Sequence, residues 1–153
     1  MARFTVSVDV RAPASRAWAE LVDWRKHGDW APLTAVRITT AHTEGVGAGF
    51  VARTGIGPLS FDDPMTVTQW QPPQGNQPGH CEVQKHGRVI HGKAWFEVLP
   101  LPGDHSRVVW HEDVTVTPQR LTRYATPLLS LIGKVGFKQT LRAMARSAEN
   151  RRH

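Results

Sequence analysis

The sequence predicts an α+β protein in which a curved antiparallel sheet of about seven strands wraps around one long C-terminal helix, with two short helices after the first strand. Three observations predict it. Strand-like alternation, punctuated by turn-forming residues, runs from Ala35 to Thr117. Pro118 closes that region, and helically spaced apolar residues follow it. A sheet with one apolar face needs a cover, and only this last segment is long enough to supply one.

The elements follow in order. Phe4, Val6, Val8 and Val10 alternate with Thr5, Ser7, Asp9 and Arg11, the period of a half-buried strand. Pro13 stops that strand and suits the first turn of a helix, whose apolar positions are Ala14, Ala17, Trp18, Leu21 and Val22. The segment Trp24 to Pro32 contains Gly28 and ends on proline, which predicts a broken or very short second helix. Ala35 to Thr40 is a strand, the glycines between Glu44 and Phe50 turn the chain, and Gly55 and Gly57 precede a long strand from Leu59 to Trp70. A loop spans Pro72 to Gly79. His80 to Lys85 and Val89 to Leu99 flank a tight turn at His86-Gly87, and Arg107 to Thr117 is the last strand. Hairpin-linked strands in succession make an antiparallel sheet.

The final helix runs from about Leu121 to Asn150 and carries two stripes. Leu128, Leu131, Ile132 and Val135 share one face, while Phe137, Leu141, Met144 and Ala148 share nearly the opposite one. One straight helix cannot bury both against one sheet. Gly133 and Gly136 fall at the switch and predict a kink or break; the alternative is that the first half meets a partner or a membrane.

Bulk properties bound the function. A chain of 153 residues corresponds to one domain over residues 1–153, large enough for a core without staples. With 40% hydrophobic and 21% charged residues, neither a disordered nor a fibrous class fits. Cys81 is the only cysteine, so no intramolecular disulfide can form. The first ten residues read as a strand rather than a secretory signal, and no apolar run approaches the roughly 20 residues that span a bilayer, so a soluble, cytoplasmic protein is expected. The net charge is +6, with Lys134, Lys138, Arg142, Arg146, Arg151 and Arg152 gathered at the C-terminal end. That cluster is either a solvated helix face with a basic tail or a surface for an acidic partner or an anionic membrane. No aromatic residues interleave with it, so specific nucleic-acid binding is not expected. Transient membrane contact and oligomeric state stay open.

Strand parity selects the inward-facing residues. On the last strand these are Val108, Trp110, Val114 and Val116, with Glu112 on the same side. The preceding strand turns Ile90, Ala94, Phe96 and Val98 inward, with Gly92 leaving room. On the long strand the set is Phe61, Met65 and Val67, joined by Asp63, and before the tight turn it is Cys81 and Val83, joined by Lys85. Asp63, Lys85 and Glu112 are thus charged residues on apolar faces, which is costly without partners. Either they orient a ligand, with Glu112 or Asp63 able to exchange a proton, or they lie at strand ends in water, or Lys85 pairs with one of the carboxylates. A one-residue bulge would invert these assignments. Trp24, His27 and Trp30 form either a pocket rim or the packing of a short helix.

Sharper motifs are missing. The glycines Gly45, Gly47 and Gly49 lack a surrounding βαβ unit, so they read as turn glycines rather than a dinucleotide fingerprint. Cys81, His86 and His91 match no zinc-ligand pattern, so no metal and no cofactor are expected. There is no nucleophile elbow and no phosphate loop.

Val8-Asp9-Val10-Arg11-Ala12-Pro13 leading into Ala17-Trp18-Ala19-Glu20-Leu21-Val22-Asp23, the Trp24/Trp30/Pro32 segment, Phe61-Asp62-Asp63-Pro64-Met65 and Gly92-Lys93-Ala94-Trp95-Phe96-Glu97-Val98 carry a family likeness. With these residues in this order, the chain resembles the SRPBCC superfamily, the START, birch-pollen-allergen and polyketide cyclase/dehydrase group, and in particular its bacterial cyclase-like branch. The resemblance spans essentially the whole chain. It implies a helix-grip fold with a cavity between the concave sheet face and the C-terminal helix, and a lipid, isoprenoid or polyketide-like small hydrophobic ligand. The group has no universal catalytic motif, so the resemblance assigns no residue a role.

Three functions compete. The first is a binder or carrier whose ligand would meet Trp110, Lys85, Phe96, Met65, Trp30 and His27. The second is a cyclase or dehydratase-like enzyme using Glu112 or Asp63 as acid or base. The third is an interaction module acting through the basic C-terminal helix.

Overall fold

The computed structural model describes residues 2–30, 34–55, 58, 60–117 and 126–150, with side chains from residue 134 onward in the last stretch. Strand β1 (Ala2–Val10) leads through Pro13 into helix α1 (Ala14–Leu21). Proline fixes its own φ, and its carbonyl accepts the amides of Arg16 (3.0 Å) and Ala17 (3.1 Å), which starts the helix without a side-chain cap. A 3-10 turn (Trp24–Lys26) and a one-turn helix α2 (His27–Trp30) follow, the interrupted second helix that Gly28 and Pro32 predict.

Six further strands come in succession: β2 (Thr34–Ile38), β3 (Gly49–Thr54), β4 (Phe61–Gln71), β5 (Gly79–His86), β6 (Ile90–Leu101) and β7 (His105–Val116). They make one antiparallel seven-stranded sheet in the order β1-β7-β6-β5-β4-β3-β2. Consecutive strands pair as hairpins from β2 to β7, and β1 closes on β7 with Ala2 opposite Val114 and Val10 opposite Ser106. The strands adjacent in sequence across α1 and α2 therefore lie at opposite edges of the sheet.

Alternation along β5, β6 and β7 places Cys81, Val83, Ala94, Phe96, Val98, Val108, Trp110 and Val114 in the core, as parity predicts. The predicted hazard, a bulge, does occur, but beyond the assigned residues. Val67 pairs with Val83 and Gln69 with Glu82, so Thr68 is the extra residue. The slip returns Trp70 to the inner side, where its ring meets Trp18 edge-on at 5.2 Å.

Helix α3 (Thr126–Asn150) covers the concave face and packs along β1 and α1. Leu141, Met144, Ala145 and Ala148 are its buried stripe, while Arg142 and Arg146 point to solvent. The break expected at Gly133 and Gly136 is absent, for the backbone is helical throughout. A helical glycine costs only about 1 kcal/mol relative to alanine, which neighbouring turns absorb. The Gly136 carbonyl also accepts the Thr140 hydroxyl at 3.0 Å. Of the first stripe, Val135 is 53% exposed, and Leu128, Leu131 and Ile132 lie outside the described side chains. Among the described residues, no helix is long and apolar enough to cross a membrane.

Candidate functional site

Between the concave sheet face and α3 lies a cavity of about 310 Å³. Alternate residues of β2 to β6 form its floor, Trp110 of β7 closes one side, and Phe137 and Thr140 of α3 form the roof. Two stacked aromatic pairs stand in its wall: Phe96 on Trp110 (5.2 Å, 16°) and Trp24 on Phe50 (4.4 Å, 13°). Its size is at the low end of small-molecule pockets, which run roughly 300–1,000 Å³ and are mostly apolar with a few polar groups.

The polar groups come from three strands. Asp63 (β4), Lys85 (β5) and Glu112 (β7) all point inward, with side chains 8%, 8% and 2% exposed. The Lys85 ammonium lies 3.0 Å from Asp63 Oδ2 and 3.5 Å from Glu112 Oε1. To reach Glu112 it passes over β6, where the facing residues are Gly92 and Ala94. Gly92 has a φ of +138°, and a Cβ there would sit 2.3 Å from the Asp113 carbonyl oxygen, so backbone and sterics both require glycine. Trp110 Nε1 donates to Glu112 Oε1 at 3.0 Å. Asp63 Oδ1 is buried and has no hydrogen-bond partner among the described residues.

The electrostatics follow from burial and charge. Burial pushes Lys85 down, but Glu112 and Asp63 together outweigh it and hold the ammonium above its usual range. For Glu112, burial pushes the carboxyl up, against Lys85 and the Trp110 hydrogen bond, and Asp63 adds repulsion. Lys85 is therefore held as a cation, and the Glu112 carboxyl is protonated more readily than an ordinary glutamate. His27 bonds the Leu21 carbonyl through Nε2 at 2.6 Å, so Nε2 carries the proton. Burial pushes its pKa down, so the ring is neutral and Nδ1 is an acceptor.

Of the residues singled out in the sequence, Asp63, Lys85, Met65, Phe96, Trp110 and His27 all border the cavity. Glu112 is bonded to Trp110 and Lys85 but is not part of the wall. Trp30 meets His27 with tilted rings at 5.0 Å and contributes no wall either. Cys81 is fully buried on the wall, its thiol pushed up to about 12 by burial, whereas His86 pairs with His91 at the far end of the β5–β6 hairpin. Sequence reasoning missed Phe50, because the glycine-rich run before it reads as a turn. Phe50 and Ala52, alternate residues of β3, both line the cavity, but the unbroken apolar run Phe50-Val51-Ala52 offers no period that selects them. On the basic helix, Lys134, Arg142 and Arg146 are exposed, while Lys138 donates to the Ser7 carbonyl. Arg151 and Arg152 lie outside the described residues.

No protein-family model matches the chain, and no curated protein matches it. Solved structures do. The Zhui aromatase/cyclase of Streptomyces sp. R1128 superposes with a TM-score of 0.74 at 17% identity, covering 97% of this chain and 94% of that one. A START superfamily protein of Mycobacterium smegmatis gives 0.71 at 17% identity, covering 96% and 97%. Norcoclaurine synthase of Thalictrum flavum, solved with dopamine and hydroxybenzaldehyde, gives 0.65 at 12% identity, covering 99% and 88%. The chain has the helix-grip fold. At these identities the likeness establishes architecture, and the helix-grip cavity has to be read from its own residues.

Proposed function

We propose that this helix-grip protein is an SRPBCC-type binder that holds one small, mostly apolar molecule between the sheet and α3. The observation that carries the reading is the cavity itself, lined mostly by apolar side chains with two stacked aromatic pairs in its wall. Such walls favour a compact ligand whose binding rests on burial, with the Asp63–Lys85 end fixing its orientation. The resemblance to lipid-, isoprenoid- and polyketide-binding proteins points the same way.

The test is gentle purification followed by native and denaturing mass measurement and extraction of whatever is released. A stoichiometric apolar molecule, lost on denaturation, is the expected result. Thr140 borders the cavity from the helix side. Thr140→Trp should fill the space under α3 and weaken uptake by at least about tenfold with little change in melting temperature. Unchanged uptake in Thr140→Trp, or no retained molecule and no response to a panel of apolar ligands, would count against the reading.

A second reading is acid–base catalysis on the bound molecule. It is favoured by one observation, a buried carboxylate–ammonium pair on the cavity wall. Asp63 is the carboxylate placed to meet a ligand, since Glu112 lies off the wall. Incubating the extracted molecule with fresh protein separates the readings: conversion supports the enzyme, and unchanged recovery supports the carrier.

A further inference from the structure

We infer that the polar end of the cavity selects a neutral, hydroxyl-bearing ligand and rejects a carboxylate, with the hydroxyl seated between Asp63 Oδ1 and the Lys85 ammonium. This deepens the binding reading and rests on it.

A lysine in an apolar cavity ordinarily suggests an anionic ligand. Here the cation is already engaged, 3.0 Å from one carboxylate and 3.5 Å from another, and all three side chains are more than nine-tenths buried. A ligand carboxylate would add a further negative charge to a desolvated cluster holding a single cation, an arrangement burial penalises. A hydroxyl adds none.

The unsatisfied atom decides what is wanted instead. Asp63 borders the cavity, one of its oxygens serves Lys85, and the other is buried without a partner among the described residues. A buried acceptor left unpaired is unfavourable, so a ligand that donates to it recovers that loss. The ammonium has three N–H bonds, and two are taken up by Asp63 and Glu112. The remaining one can donate to a ligand oxygen. A hydroxyl satisfies both demands from one atom, giving its hydrogen to Asp63 Oδ1 and accepting from Lys85. An ether or ketone answers only the second.

Three probes of like shape test this by calorimetry at neutral pH: 2-naphthol, 2-methoxynaphthalene and 2-naphthoate. The expected ranking is 2-naphthol tightest, by at least about tenfold over the ether, with naphthoate weakest, since a site built around a donor discriminates strongly against its absence. Asp63→Asn should turn its amide oxygen to Lys85 and its NH₂ to the cavity, so the preference for naphthol over the ether should collapse or invert. A thermal melt checks that the variant folds, and the ranking on the unaltered protein decides the matter without it. Equal affinity for naphthol and the ether, or tightest binding of naphthoate, overturns the inference while leaving the cavity as a binding site. Failure of all three probes to bind overturns the binding reading, and the inference with it.

Discussion

Two buried carboxylates in this molecule are built from the same chemistry and finished differently. Glu20 of α1 is fully buried, and both its oxygens are occupied: Oε1 by the Lys26 ammonium at 2.8 Å and Oε2 by the Ser147 hydroxyl at 3.1 Å. That cluster ties α1, the 3-10 turn and α3 together. Asp63 has its Lys85 at 3.0 Å on one oxygen, while its other oxygen is buried with no partner among the described residues, in a side chain that borders a cavity. A saturated buried charge acts as a clamp, whereas one left with an unpaired oxygen at a cavity wall has a demand that a ligand can meet. The first should matter to stability alone, the second to recognition.

The largest effect that can break this contrast is removal of the central cation. Lys85→Met strands Asp63 and Glu112 together in the interior, and should cost about 3–5 kcal/mol of stability at neutral pH. Part of the loss should return in acid, where the two carboxylates can be protonated. Urea unfolding at two pH values measures both, and an unchanged midpoint would mean that the cluster does not hold its charges as described. Next comes the clamp. Glu20→Gln keeps the shape and loses the charge opposite Lys26, which is a third exposed, so about 1–2 kcal/mol should go with no change in ligand affinity. A change in affinity instead would show the two clusters to be coupled.

The smallest effect is a slope. Burial raises the Glu112 pKa, so the folded protein keeps a proton that the unfolded chain releases near its usual value of 4.5. Between that value and the higher folded one, the native state binds more protons, and stability falls as pH rises. Glu112→Gln should flatten that fall. Lys85, whose pKa is raised, supports the fold below the usual lysine value of 10.5 and loses that support only as pH climbs from there through its folded pKa. Unfolding free energies from pH 4 to 8 in both proteins check the assignment.

Much of this arrangement was legible before any coordinates. Period-two alternation put Asp63, Lys85 and Glu112 on inward faces, because each sits two residues from a core aliphatic or aromatic neighbour on its own strand. Their convergence was not legible: it depends on the β4–β5–β6–β7 register and on the clearance over Gly92, neither of which local pattern encodes. The Glu20 clamp was harder still. Glu20 lies three residues after Ala17, on the buried side of α1, yet an isolated glutamate on a short helix ordinarily reads as solvent-facing. The break in α3 was expected because two opposite apolar stripes met at Gly133 and Gly136; the helix runs on unbroken instead, with Val135 of the first stripe left exposed. His27 could be placed near the cavity from sequence, but its tautomer is set by the Leu21 carbonyl, a contact six residues back that only the turn at Trp24–Lys26 creates.

The pairing of β1 with β7 has a consequence for how the chain is made. The strand synthesised first has no partner until the strand containing Val114 has been translated, because Ala2 and Val10 sit opposite Val114 and Ser106. During synthesis the hairpins from β2 to β6 can zip locally as they leave the ribosome, while Phe4, Val6 and Val8 wait unpaired. The apolar edge they expose is a target for chaperones in that interval, and its closure, with α3 then laid across it, is the step that completes the grip.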